Sequence, residues 1–305
     1  MNDNVVLEPQ SRSWGGKWTI QKLDAFEKYV SAYLTIMNKN RDNYNWELIY
    51  FDGFAGSGSK KDDILNELLL DLFSEEEFED LDVYKGSSER ILQISQRGFD
   101  YYYFIDNDKN ANKGLKQKLK PYTKKNAEKK IVFRSNDANN EIIKLSQAMH
   151  RDKKYKSLVF LDPFGMQINW ESIEKLKDTN TDLWILIPTG VIVNRLLDRK
   201  AKLTHLNKLT SFFGLSEDEI RKKFYEVKKA NTLFGEVTVI EKVKEPIGKI
   251  AELYVGKLKE IFNFVTSEPL VLYNKKNVPI YHFAFASNNQ VAQKIAGQII
   301  QTSKK

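Results

Sequence analysis

Five short apolar runs, each followed by a stretch of helical character, constrain this chain more than any other feature. They are ELIYF (Glu47–Phe51), YYYFID (Tyr101–Asp106), KIVFR (Lys130–Arg134), SLVFLD (Ser157–Asp162) and DLWILI (Asp182–Ile187). A strand that is apolar along its whole length needs cover on both faces, and strands alternating with helices pair parallel. The pattern predicts an α/β chain with a mostly parallel sheet and helices on both faces. Intervening helices are expected near Ser88–Arg97, Lys109–Leu119, Asn139–Met149 and Trp170–Lys177. An amphipathic helix opens the fold at Lys17–Asn38, with Leu23, Phe26, Tyr29, Val30, Tyr33, Leu34 and Met37 at helical spacing. Late in the chain PLVLYN and VPIYHFAFA read as two more strands, joined by the turn Lys275-Lys276-Asn277, which brings the sheet to seven. Helices at Ile247–Ile261 and Asn289–Thr302 flank them.

The core is expected to comprise residues 1–195 and 246–305. Residues 59–86 form one insertion, whose acidic run SEEEFED reads either as a solvated surface or as a docking face for a basic partner. Residues 196–245, with SEDEIRKKFYEVKKA at their centre, read as a helical cap.

Lys and Arg number 48 against 41 Asp and Glu, a formal net charge of +7. That balance suits a polyanionic partner such as nucleic acid, and it equally suits simple solubility. The absence of cysteine excludes disulfides, thiolate zinc sites, iron–sulfur clusters and a cysteine nucleophile. His150, His205 and His282 show no ligand spacing, so no metal is expected. No apolar run approaches the roughly 20 residues of a membrane span, and MNDNVVLEPQSRSW lacks signal-peptide character. A cytoplasmic place without a membrane partner is the expectation.

Candidate site residues fall at the carboxyl ends of the proposed strands, where an open α/β sheet binds its ligand. The first group is Asp52-Gly53-Phe54-Ala55-Gly56-Ser57-Gly58. Its glycines allow a tight turn and close approach of backbone to ligand, and its carboxylate can meet a cationic amine. Dinucleotide binding competes, but the spacing is not G-x-G-x-x-G running directly into a helix. The second is Asp106, able to accept both hydroxyls of a ribose or to cap the Lys109 helix. The third is Asp137, which can accept from an adenine amino group or cap the Asn139 helix. The fourth and most specific is Asp162-Pro163-Phe164-Gly165. A strand ending this way can project a carboxylate and a carbonyl that accept hydrogens from an amine and aim its lone pair. Proline keeps its own N–H out of such a site.

This order of motifs resembles the class I S-adenosylmethionine-dependent methyltransferases. Phe54 gives the F-x-G-x-G spelling of the amino-methyltransferase branch, and D-P-F-G is similar to the tetrad of enzymes that methylate the exocyclic amine of guanosine in tRNA. Over nearly its full length the chain resembles the three-Cys-motif partner protein (TcmP) family. The matching stretches are Trp14-x-x-Lys17-Trp18, Y-F-D-G-F-A-G-S-G, Gly86-Ser87-Ser88, Phe104-Ile105-Asp106, Leu161 to Gly165, and Pro279-Ile280-Tyr281-His282-Phe283. The resemblance implies a Rossmann-like methyltransferase fold with S-adenosylmethionine as cofactor. It implies Gly56 and Gly58 beside the methionine portion, with Phe54 in the same turn, and Asp52 toward the ammonium, directly or through water. It further implies Asp106 at the ribose, Asp137 at the adenine, and Asp162 and Pro163 at the acceptor amine. The fourth tetrad position, an aromatic in D-P-P-Y enzymes, is Gly165 here, and the ring stands one residue earlier at Phe164. The family name implies a partner protein bearing a three-cysteine motif. The alternative to nucleic-acid methylation is a non-catalytic, protein-directed or small-molecule-directed relative.

A base in a duplex would have to be flipped out or presented single-stranded. Candidate phosphate contacts are the lysines and arginines of residues 196–229 and of residues 113–130, runs that read equally as solvated helix faces. Trp170 is expected in the core or lining the cleft, and residues 189–195 could shape the acceptor side.

Overall fold

The computed structural model describes residues 17–56, 86–94, 96–125, 128–232 and 235–304. Among them eight strands form one sheet: β1 (Glu47–Asp52), β2 (Tyr101–Asp106), β3 (Lys130–Ser135), β4 (Tyr155–Leu161), β5 (Thr181–Ile187), β8 (Phe264–Val265), β9 (Leu270–Tyr273) and β10 (Pro279–Ser287). Their order is β3-β2-β1-β4-β5-β10-β8, with β9 also paired to β10. β1 to β5 pair parallel, and β10 runs antiparallel to β5, β8 and β9. The sequence predicts seven strands. The eighth, β8, is only two residues long and carries no periodic signal of its own.

Helices are α1 (Lys17–Asn40), α2 (Ser87–Gln93), α3 (Lys109–Lys118), α4 (Lys120–Lys125), α5 (Ala138–Arg151) and α6 (Trp170–Glu174). They continue with α7 (Asn194–Leu196), α8 (Leu206–Phe213), α9 (Glu217–Phe224), α10 (Pro246–Ile261) and α11 (Gln290–Ser303). Every residue of β5 is buried, as expected for a central strand with cover on both faces.

One face of the sheet is an aromatic layer beneath α1. Phe26 stacks on Phe160 at 4.1 Å, and Tyr29 meets Trp184 at 5.4 Å and Phe285 at 4.9 Å. Truncating a ring such as Phe26, 1% exposed, costs about 3–5 kcal/mol in a core of this kind. At the amino end of β5 the buried Asp182 accepts from Tyr29 Oη at 2.6 Å and Ser287 Oγ at 2.5 Å, tying α1 to β5 and β10. Burial raises its pKa to about 6.

Residues 196–245 depart from the expected helical cap. α8 and α9 are present, the latter opened by a capping box between Ser216 and Glu219. Beyond Phe224 the chain leaves the helix for an antiparallel ribbon, β6 (Tyr225–Thr232) and β7 (Gly235–Lys242). Val237, Val239 and Ile240 with Thr238 are β-branched and favour extended backbone over helix. The dense charges around them obscure that preference in the sequence. The acidic run and Gly58 lie outside the described residues, as does Trp14.

Candidate functional site

After β1 the chain crosses to β2 and β3 on one side of the sheet, then returns to β4 and β5 on the other. Between the carboxyl ends of β1 and β4 the connections diverge and leave a crevice, the usual ligand position in an open α/β sheet. A cavity of about 110 Å³ lies there. The turn after β1 is pinned on both sides, because Gly53 N donates to Phe160 O at 3.0 Å and Ala55 N to Ile105 O at 2.8 Å.

Phe54, Gly56, Asp106, Asp137, Asp162, Pro163 and Phe164 all border this cavity. Four separate connections therefore contribute to it. Asp106 accepts a backbone hydrogen bond from Asp108 at 2.7 Å and another from Gly56. Burial raises its pKa to about 6, against the pull of those two donors. Any side chain at residue 56 would collide with this carboxylate: a Cβ there lies 2.8 Å from Asp106 Cγ and closer still to Oδ2. Capping of α3 falls to Asp108, not Asp106, since Asp108 accepts from Asn110 N and Ala111 N. Asp137 is the cap of α5 and also borders the cavity. Its Oδ1 accepts from Asn139 N and Asn140 N.

Three expectations need correction. Asp52 does not line the cavity; it is completely buried behind it. Its oxygens accept from Phe54 N at 3.2 Å, Ser87 Oγ at 3.0 Å and Tyr50 Oη at 3.3 Å. Burial drives its pKa up to about 7, with the Asp162 charge adding to the effect. The Gly86-Ser87-Ser88 turn thus serves to hold Asp52. Gly165 is likewise buried away from the cavity lining, its N–H given to Gln167 Oε1 at 2.6 Å. Residues 189–193 are a fully buried π-helical turn, not a wall of the pocket.

Asp162 is not an open carboxylate. The Lys22 ammonium donates to both of its oxygens at 2.7 Å, with side chains only 2% and 5% exposed. Burial lowers the Lys22 pKa, and Asp162 and then Asp52 pull it back up. The cationic amine that Asp52 senses thus belongs to the chain itself. Lys22 also sits 5.2 Å from the Trp18 ring, which stacks on Tyr281 at 5.2 Å. Tyr281 Oη reaches the Phe164 carbonyl at 3.4 Å. Lys22, Trp18 and Tyr281 line the cavity together with Leu186 and Gln167. Sequence reasoning left Lys22 out, although it stands four residues before Phe26 on the buried stripe of α1.

Trp170 is core: it is 1% exposed, donates to Glu174 at 2.6 Å and meets Tyr254 edge-on. His282 is buried against Thr189 Oγ1 at 2.7 Å, with its pKa lowered to about 4 by burial. Among the described residues no group of three or more His, Cys, Asp or Glu is placed to hold a metal ion. No described helix is long and apolar enough to cross a membrane.

No known protein family matches the sequence, and no curated protein matches it. Among solved structures, protein LPL1258 from Legionella pneumophila str. Philadelphia 1, of family DUF519, is similar at 14% identity and a TM-score of 0.40. That match covers 90% of this chain and 98% of the other.

Proposed function

We propose that this chain is an S-adenosylmethionine-dependent methyltransferase with a Rossmann-like fold, and that it modifies an amino nitrogen of a nucleic-acid base. The observation that supports it is the meeting of Gly56, Asp106, Asp137 and Asp162-Pro163 on one cavity at the switch point of the sheet.

The donor set fits the cofactor. Asp106 and Asp137 are acceptor groups at neighbouring strand ends, suited to the ribose hydroxyls and to the adenine amino group respectively. The Gly56 backbone, which tolerates no Cβ against Asp106, would lie along the methionine portion with Phe54 beside it. When bound, the cofactor supplies a methyl group on a sulfonium. The task of the chain is then to position an amine in line, a term that can amount to several kcal/mol of barrier.

Asp162 would perform that task. Two of its lone-pair positions engage Lys22, and the remainder can accept an N–H from the acceptor. Lys22 fixes the orientation of the carboxylate. Because the pair carries no net charge, it leaves an alkylammonium without a counter-charge to offset its desolvation, a cost that a neutral amine does not bear. Base amines are neutral at physiological pH, and this favours a nucleobase over a protein lysine as acceptor. Trp18, Phe164 and Tyr281 supply ring surface near the tetrad in the absence of an aromatic fourth residue.

Methyl-labelled S-adenosylmethionine incubated with separated RNA, DNA and protein tests the reading. Label is expected in RNA or DNA, and label confined to protein would overturn it. A second reading, a cofactor-holding subunit for a three-cysteine-motif protein, draws on the engagement of both Asp162 oxygens by Lys22. Transfer that is present in the wild type and lost in Asp162→Ala, with cofactor affinity retained, would dismiss it.

A further inference from the structure

Two basic segments compete to carry the acceptor's backbone, and their surroundings differ. In residues 196–245 some cations are committed to neighbours and others, such as Lys222 and Lys223, are exposed without an ion pair among the described residues, but none of them borders the cavity. Arg221 pairs with Glu217, Lys228 with Glu241 and Lys229 with Glu236, while Lys242 is held by the Asn194 side chain at 2.7 Å. On α3 and α4 the exposed cations start at the cavity rim. Lys109, Lys113, Lys116, Lys120 and Lys124 are exposed, and none forms an ion pair among the described residues. Lys118, by contrast, bridges to Glu89 at 2.7 Å.

The lysines of α3 are also ordered. Positions 109, 113 and 116 follow i, i+4, i+7 and share one face, with axial steps of about 6 and 4.5 Å. That stripe begins at the cavity: Asp106 and Asn107 line it, Asp108 caps α3, and Lys109 is the first helical residue. A row of uncompensated ammonium groups leading from the rim of a recessed site has the form of a polyanion track. Such a cluster keeps its mutual repulsion unless counterions or phosphates neutralise it, and releasing those counterions drives association.

We propose that the exposed lysine stripe of α3, continued by Lys120 and Lys124 of α4, binds the phosphate backbone of the nucleic acid whose base enters the cavity. This rests on the nucleic-acid reading of the acceptor. The helical and ribbon segment of residues 196–245 is not the backbone contact.

Fluorescence anisotropy of a short labelled single-stranded RNA, and of DNA of the same sequence, tests the proposal as a function of salt. Lys109→Glu, Lys113→Glu and Lys116→Glu are combined in one variant, and Lys222→Glu with Lys223→Glu in a second. Calorimetric binding of S-adenosylmethionine to both variants reports whether the cavity is intact. The first variant is expected to bind RNA or DNA at least about tenfold more weakly, with a salt slope shallower by about 2, because each single-strand phosphate contact contributes roughly 0.7. The second is expected to bind as the wild type does. Wild-type affinity and slope in the first variant, or no binding of RNA or DNA by the wild type, would overturn the proposal. Weakened RNA binding in a protein that takes up no S-adenosylmethionine would uphold the surface and refute the methyl-transfer reading instead.

Discussion

Replacing Lys22 by methionine removes one half of the buried pair and keeps most of the side-chain volume. The remaining Asp162 carboxylate, 5% exposed, then loses the ammonium that engages both its oxygens at 2.7 Å, and it faces the buried Asp52 without an intervening cation. Breaking a buried pair in this way costs about 3–5 kcal/mol, because a desolvated charge is left without compensation. For a chain of this size that corresponds to a fall in Tm of roughly 5–8 °C. Removing both partners, as Lys22→Met with Asp162→Leu, eliminates the uncompensated charge and should recover most of the loss. Methyl transfer should remain absent in the double variant, since Asp162 is gone. Thermal and urea denaturation followed by circular dichroism measure the cycle. A single variant within about 1 kcal/mol of wild type, or a double variant no more stable than the single, would refute the assignment of this pair as a coupled buried unit.

Other consequences are equally direct. Gly56→Ala must push the Asp106 carboxylate off its Asp108 and Gly56 hydrogen bonds, so S-adenosylmethionine affinity should drop by about 2–3 kcal/mol, or 30- to 150-fold, by titration calorimetry. Asp106 titrates near 6 in the unliganded protein, so a ligand whose hydroxyls need its ionised form binds at full strength above that pH and loses affinity as pH falls through it. Near pH 5 the weakening should be about tenfold, and Asp106→Asn should flatten the profile. The raised pKa values of Asp52 and Asp106 also mean that ionisation of these groups disfavours the unliganded fold. The native state binds protons that the unfolded chain releases between pH 4 and 7, so this contribution to stability falls as pH rises across that interval. Gly190→Ala would drive a methyl group into the Pro279 backbone, 3.0 Å from its carbonyl carbon and closer to its oxygen. A loss of at least about 2 kcal/mol is expected in denaturant titration, with no compensating rotamer available.

Much of the sheet is legible in the sequence because β1, β2, β4 and β5 are buried strands whose apolar runs have no helical period. Their carboxyl-terminal residues are legible as a site as well, since parallel pairing directs them to one edge of the sheet. The direction in which each carboxylate points was harder to read. Asp52 and Asp162 follow Tyr50 and Phe160 by two residues, and both rings contact Phe26 of α1. The period of two therefore carries the carboxylates to the α1 side, where Lys22 lies one turn before Phe26. A lysine in register with Phe26, Tyr29 and Tyr33 on a buried stripe was the available signal, and hydrophobic periodicity alone passes over it. The ribbon at Tyr225–Lys242 escaped for a different reason. Its alternation is carried by exposed residues, among them Val227 and Ile240 at 72% and 47%, so it has no buried face to mark it as a strand pair.

Titration of S-adenosylmethionine into the purified protein, side by side with Asp106→Ala, bears most directly on the cavity as a cofactor site. Saturable one-to-one binding by the wild type, weakened at least tenfold by the substitution, is the predicted result. No heat of binding to the wild type, or equal affinity in the two proteins, would contradict it.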